Sequence, residues 1–193
     1  MIRTLITLLA LCVLAPAAKS QDMPLSQILI EGEGWKKAEG EWKAPTFTSP
    51  AGGGVFSHDG QSVFVIKPGP VAALFAFNAK IDPKTGFPDS PLPMDTGAPY
   101  CSLRTKRGQK GIEVGGMVVD KDGRIYAATE IGVQVFDPTG RLCGVLTPAA
   151  PGRPTFLAFT GKQFDQLTVW MNSTRYSRRL NTAGSILVPR RID

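Results

Sequence analysis

Few side chains in this chain of 193 residues could do chemistry, and their spacing limits what that chemistry could be. His58 is the only histidine and stands in the run Ser57-His58-Asp59-Gly60. With no second His or Cys at ligand spacing, it reads as a turn residue rather than a metal ligand or general base. Asp120 and Asp122 invite a metal reading, but each falls where a tight turn wants an Asp that hydrogen-bonds its own backbone. Glu113 and Glu130 are the remaining catalytic candidates. They flank one end of the same central stretch and could face a common channel, although nothing near them in sequence supplies an acid/base partner. Glycines 52, 53, 54, 115 and 116 resemble a phosphate loop only loosely, since no Lys-Ser/Thr and no helix follow them. Asn172-Ser173-Thr174 is a formal glycosylation sequon, relevant only in a eukaryotic secretory route, and otherwise reads as a turn.

The elements that must position these residues are best read from residues 115 to 146, GGMVVDKDGRIYAATEIGVQVFDPTGRLCGVL. Four short strands are expected there, at Met117–Val119, Arg124–Thr129, Val133–Phe136 and Leu142–Leu146. Asp122-Gly123, Ile131-Gly132 and Asp137-Pro138-Thr139-Gly140 separate them. Gly supplies the positive φ of a hairpin turn and Pro pre-sets the first turn position. Four strands rich in Val, Ile, Tyr and Phe, joined in this way, make one antiparallel sheet of the size of a β-propeller blade. A similar rhythm runs through Gly54–Phe56, Ser62–Ile66 and Ala72–Phe77, with a hairpin turn at Ile81-Asp82-Pro83-Lys84-Thr85-Gly86, and again through 156–159, 167–171 and 176–180. Aligning Arg124 with Leu167 gives an offset of 43 residues, within the roughly 40 to 45 of a propeller repeat. Aligning Asp59 with Asp122 gives 63, which makes residues 87–110, rich in Pro, Ser and Lys/Arg, a long connection in a regular array. After residue 20 no window of 11 or more residues shows a helical apolar period, so the fold class is all-β with about three antiparallel four-stranded blades in 47–188. Residues 21–46 read as a linker with one edge segment near Ile28–Ile30.

Residues 1–20 are a separate matter. Arg3, the apolar run Leu5–Leu14 and a small-x-small site at Ala15-Pro16-Ala17 or Ala18-Lys19-Ser20 read as a secretory signal peptide, too short to span a bilayer. The bulky Leu11 before Cys12 argues against a lipoprotein site. The mature chain is therefore expected to be secreted or periplasmic and free of the membrane. Loss of Arg3 and Lys19 would take the formal charge from +6 to +4. The basic groups Lys36-Lys37, Arg104-Lys106-Arg107-Lys110, Arg175-Arg178-Arg179 and Arg190-Arg191 lack interleaved aromatics, so they read as solvated turns and no nucleic-acid partner is expected. Cys12 would leave with the signal. Cys101 and Cys143 then allow either one disulfide or two free thiols, which spacing cannot decide.

The 115–146 stretch, followed by PTFLAFTGKQFDQLTVWMNSTRYSRRLN, resembles the last third of the gluconolactonase / senescence marker protein (regucalcin) family. The likeness is faint but usable from Phe47 to Gly86. It implies a six-bladed propeller whose central channel holds calcium or zinc on a Glu, an Asn and an Asp, where the ion polarises a sugar lactone and activates water. The family Asp precedes Gly-Met, which places Gly115 at that position here. The family Asn falls on Gly52, or, in the register of the family's opening blade, its Glu falls on Ser49. None of these side chains is a hard oxygen ligand of the kind the ion needs. Three blades also fall short of the four to eight that close a ring. The chain is then a fragment or shortened relative, or two copies complete one ring as a homodimer, or the sheets pack in another way.

The expectation is a secreted gluconolactonase-like propeller protein with a degenerate metal site, non-catalytic or truncated, with no cofactor and with a sugar-lactone or carbohydrate ligand. The alternative is a calcium- or zinc-dependent sugar-lactone hydrolase whose site is rebuilt from Glu113, Glu130, Asp120 or a partner chain. An outer-surface role for Trp35 and Trp42 has no specific support.

Overall fold

A computed structural model describes residues 23–39, 54–67, 73–79, 96–109, 112–152 and 154–185. The expected signal peptide, Trp42, Ser49, Gly52 and the hairpin turn at 81–86 lie outside the described residues. Within them the Asp-Gly turns do what their chemistry suggests. Asp59, Asp120 and Asp137 each turn Oδ1 back to accept the backbone N–H two residues on. Gly60, Gly123 and Gly140 take positive φ and donate to the carbonyl three residues back. Asp122 differs from the expectation: its carboxylate accepts from the Arg124 guanidinium instead of closing the turn.

These turns chain the strands into three four-stranded antiparallel sheets. The first holds β2 (Val55–Phe56), β3 (Ser62–Lys67), β4 (Ala73–Asn78) and β5 (Ala98–Ser102) in that order. The second is the simple meander β6 (Val114–Val119), β7 (Ile125–Thr129), β8 (Gly132–Phe136) and β9 (Leu142–Leu146). The third runs β10 (Pro154–Thr160), β11 (Gln166–Met171) and β12 (Thr174–Arg179), and its outermost strand is β1 (Lys36–Lys37) from near the N-terminus. The three blades expected from sequence are therefore present as an open propeller-like array.

Two strands were not foreseen. β5 lies inside the stretch read as one long connection, where Pro99 hides it. Pro is tolerated because β5 is the edge of its sheet, where a missing N–H breaks no ladder. β1 has a polar Lys-Lys sequence with no strand signal, and the non-local partner β12 alone makes it a strand. Ile28–Ile30 contributes only a bridge, Leu29 to Leu180, after a 3₁₀ turn at Leu25–Gln27.

Alternation on each strand fills the gaps between sheets. Phe64 and Leu74 of the first sheet meet Ile125, Ala127 and Phe136 of the second. Tyr126, Val133 and Val135 on the second sheet's other face meet Leu157, Phe159, Leu167 and Val169 of the third. Each such large apolar side chain contributes about 1.5 to 3 kcal/mol on burial. The segment before β1 straps the second and third sheets together. Leu25 packs on Gly144, Ile28 is buried in the same core, and Trp35 Nε1 donates to the Thr147 carbonyl at 2.7 Å. Among the described residues no helix is long and apolar enough to cross a membrane.

At the end of β6 a buried ionic network ties this strap to the core. Asp120 is fully buried and accepts from Arg124 Nη1 at 3.0 Å and from the Tyr126 hydroxyl at 2.9 Å. Arg124 Nη2 reaches Gln27 Oε1 at 3.1 Å, and Thr182 Oγ1 donates to Asp120 at 3.3 Å. Burial, with the Asp120 charge beside it, pushes the Tyr126 phenol well above its ordinary pKa, so it stays a donor. Removing one partner would leave a buried charge uncompensated, which costs more than the pair itself is worth. Asp120→Ala is expected to destabilise the chain by about 3 to 5 kcal/mol, measured as a lower midpoint in urea at unchanged slope.

Candidate functional site

Gly115, where the family resemblance implies a ligand, directs attention to the end of the sheets where β6 starts. Strands alternate direction, so this end collects the start of β6, the β7–β8 turn, the loop after β5 and the start of β10. Glu113 immediately precedes Val114, which pairs with Thr129, and Glu130 follows Thr129. The structure thus brings the two glutamates to the same end of one sheet, as expected. Glu113 is exposed, and Glu130 forms an ion pair of 3.6 Å with Lys106 from the loop after β5. A pair of this exposure is worth little.

Asp120 lies at the opposite end of β6, inside the network with Arg124 and Tyr126, so it joins neither glutamate. His58 is exposed in its turn and sits against Gly123 of the neighbouring sheet's turn, also at that opposite end. Asn172 is an exposed residue at the β11–β12 turn with a positive φ of 55°, a conformation Asn tolerates better than most residues.

Gly115 is the informative position. A bulge between Val114 and Gly116 interrupts the β6 ladder, and a second between Pro154 and Phe156 interrupts β10. The two bulges face each other. A Cβ on Gly115 would lie 2.1 Å from the Pro154 carbonyl oxygen and 2.4 Å from its carbon. One on Gly116 would lie 3.0 Å from the Leu157 amide nitrogen. The obstacle at Gly115 is backbone rather than a side chain that could turn aside. No carboxylate can be carried there while β10 keeps its place, so this position does not fit a hard cation. Among the described residues no group of three or more His, Cys, Asp or Glu could hold a metal ion. A cavity of about 10 Å³ between Trp35, Thr129, Pro154 and Met171 has room for about one water.

Cys101 and Cys143 are free thiols. Cys101 packs with the core between the first and second sheets, and Cys143 with the core between the second and third, so the second sheet stands between them. Burial pushes the thiol of Cys101 up to about 12 and that of Cys143 to about 11. Both stay protonated at neutral pH and are poor nucleophiles.

Sequence reasoning missed Gln134. It is fully buried on β8 among Val133, Val135 and Phe136, and a lone amide in an apolar strand was the available signal. Its Oε1 accepts from the Arg104 N–H and its Nε2 donates to the Arg104 carbonyl, both at 2.8 Å. Nε2 also donates to Thr129 Oγ1 at 3.1 Å, which uses the whole amide.

Comparison with known proteins places this geometry. A family model described as SMP-30/Gluconolactonase/LRE-like region matches residues 49–173. Among solved structures, one provisionally assigned as a gluconolactonase aligns with a TM-score of 0.50 at 21% identity, over 69% of this chain and 40% of that one. A gluconolactonase of Xanthomonas campestris aligns with a TM-score of 0.49 at 22% identity, over 66% and 37%. The calcium-binding protein regucalcin of Agrobacterium tumefaciens aligns with a TM-score of 0.46 at 19% identity, over 68% and 45%. The chain therefore spans less than half the length of each of these structures. No curated protein sequence matches it.

Two outcomes follow from the geometry. Gly115→Asp, which would put at 115 the carboxylate that the family resemblance implies, is expected to destabilise the chain by about 3 kcal/mol and to bring no metal-dependent rise in melting temperature. Alkylation of Cys101 and Cys143 at pH 8 is expected to be at least about tenfold slower in the folded chain than in urea, because only the thiolate reacts; mass spectrometry of labelled peptides measures both rates.

Proposed function

Because this chain belongs to the SMP-30/gluconolactonase/LRE-like family, we propose that it is a gluconolactonase-like propeller protein whose metal site is degenerate and whose role is binding rather than hydrolysis. The observation that carries the reading is the Pro154 carbonyl, 2.1 Å from where the first side-chain atom of residue 115 would stand. A lactone hydrolase of this kind needs several hard oxygen ligands converging on one ion. Gly115 supplies none, and β10 fills the space a ligand's stem would cross. Export through the N-terminal leader and a sugar-like ligand are part of the same proposal, the first on the Arg3 and Leu5–Leu14 pattern and the second on the family alone.

The alternative, a hydrolase with a rebuilt site, has Glu113 and Glu130 at the right end of the second sheet and lacks Asp120, which the Arg124 network holds at the other end. A second copy completing the ring would seat on the outward faces of the end sheets. On the third sheet that face offers Phe156, 39% exposed and edge-on to Trp170 at 5.2 Å. On the first it would meet Val63, Val65 and Phe77, each already 3% exposed or less.

Steady-state hydrolysis of a panel of aldono-lactones, with added calcium or zinc and with chelator, tests the reading. The expected result is a rate equal to that of buffer in every condition. Saturable turnover that chelator abolishes would establish the hydrolase instead.

A further inference from the structure

The loop after β5 carries three cations in four residues, Arg104, Lys106 and Arg107, all exposed. Sequence alone makes this a solvated turn, but its construction is more expensive than a solvated turn needs. Leu103, just before it, is 4% exposed and anchored in the core between the first two sheets. The next residue, Arg104, has both backbone groups held by the fully buried amide of Gln134, which replaces a neighbouring strand. Beyond it the Gln109 N–H closes a turn on the Lys106 carbonyl at 3.1 Å, with Gly108 at a φ of 80° that favours glycine. The base of the loop is therefore fixed and its cations are displayed on a short, closed tip.

Like charges so close repel one another, and among the described residues only Lys106 of the three forms an ion pair, with Glu130 at 3.6 Å. The guanidiniums of Arg104 and Arg107 form no ion pair among the described residues. The two exposed guanidiniums are open to an anion, and a pre-ordered loop loses little further entropy when it binds one. The flanking residues narrow the kind of anion. Arg104–Gln109 contains no aromatic side chain on which a base could stack, which disfavours single-stranded nucleic acid. It contains no apolar side chain to insert into a bilayer, which disfavours a lipid surface. Thr105 and Gln109 instead add neutral hydrogen-bonding groups beside the cations, suited to hydroxyls.

We propose that the Arg104–Gln109 turn, pinned by Gln134, is a docking site for an acidic polysaccharide, a chain of sugar rings carrying carboxylate or sulfate groups. This goes beyond the binding reading above and stands apart from the lost metal chemistry, so its test measures glycan binding and its failure would leave the lactone result untouched.

Titration calorimetry of the full chain with oligogalacturonate, dextran sulfate and neutral dextran, at low and physiological salt, tests it. The expected result is saturable binding of at least one acidic glycan that weakens with salt, and none of neutral dextran; the acidic probe that binds more tightly identifies carboxylate or sulfate as the preferred group. Arg104→Ala with Arg107→Ala should weaken binding about tenfold at an unchanged melting temperature. Lys36→Ala with Lys37→Ala removes the same charge from the exposed strand β1 and should change it less than about twofold. Failure of both acidic glycans to bind, equal losses in the two double variants, or single-stranded DNA binding as tightly as the better glycan would each overturn the proposal.

Discussion

At Gly115 and Gly116 the backbone of β6 meets that of β10 with no side chain of its own between them, and the rest of the structure depends on that approach. Gly115 and Gly116 allow it, because a Cβ at either position would press on Pro154 or Leu157. The two facing bulges provide the local geometry, since a bulge re-aims the chain at one point while the ladder continues on both sides. With the two strands this close, the apolar faces of the second and third sheets interlock through Tyr126, Leu157, Phe159 and Val169. The ring of Tyr126 stands edge-on to Phe159 at 5.3 Å, and its hydroxyl reaches Asp120. The close approach at these two glycines thus sets the spacing in which both an apolar core and a buried ionic network can form.

On the function proposed above, the same contact separates this chain from the chemistry associated with its family. A channel metal requires oxygen ligands that point inward from several strands, and a strand that lets its neighbour's carbonyl come that close has no room for one. The two ends of the sheets have taken different roles. The end holding Asp120, Arg124, Tyr126 and Thr182 is a closed structural joint, secured by the strap through Gln27. The opposite end carries exposed Glu113, the Lys106–Glu130 pair and the pinned cationic loop, whose Arg104, Lys106 and Arg107 face solvent.

Much of this was legible in the sequence, for physical reasons that differ from residue to residue. Asp-Gly and Pro-Thr-Gly announce their turns because the Asp carboxylate and the glycine φ act locally, and the second sheet followed directly from them. β1 and β5 were hidden because their strand character comes from partners far away: Lys36 and Lys37 are extended because β12 needs an edge, and Pro99 is allowed because β5 is one. Gln134 could be noticed as a polar residue in an apolar strand, but its partner, the Arg104 backbone thirty residues earlier, could not. That Gly115 falls on a family ligand position is what the resemblance to that family implies, and no local pattern in the chain points to it. That the space beside it is occupied by the Pro154 carbonyl is a fact of packing between strands 39 residues apart, which no local pattern encodes.

The most direct test of this account is calorimetric titration of the chelator-stripped chain with calcium and then with zinc. A backbone contact at Gly115 in place of a ligand predicts no saturable heat from either ion up to millimolar concentration. A single site of micromolar or tighter affinity for either would mean that β10 yields or that other side chains have rebuilt the centre, and would contradict the account.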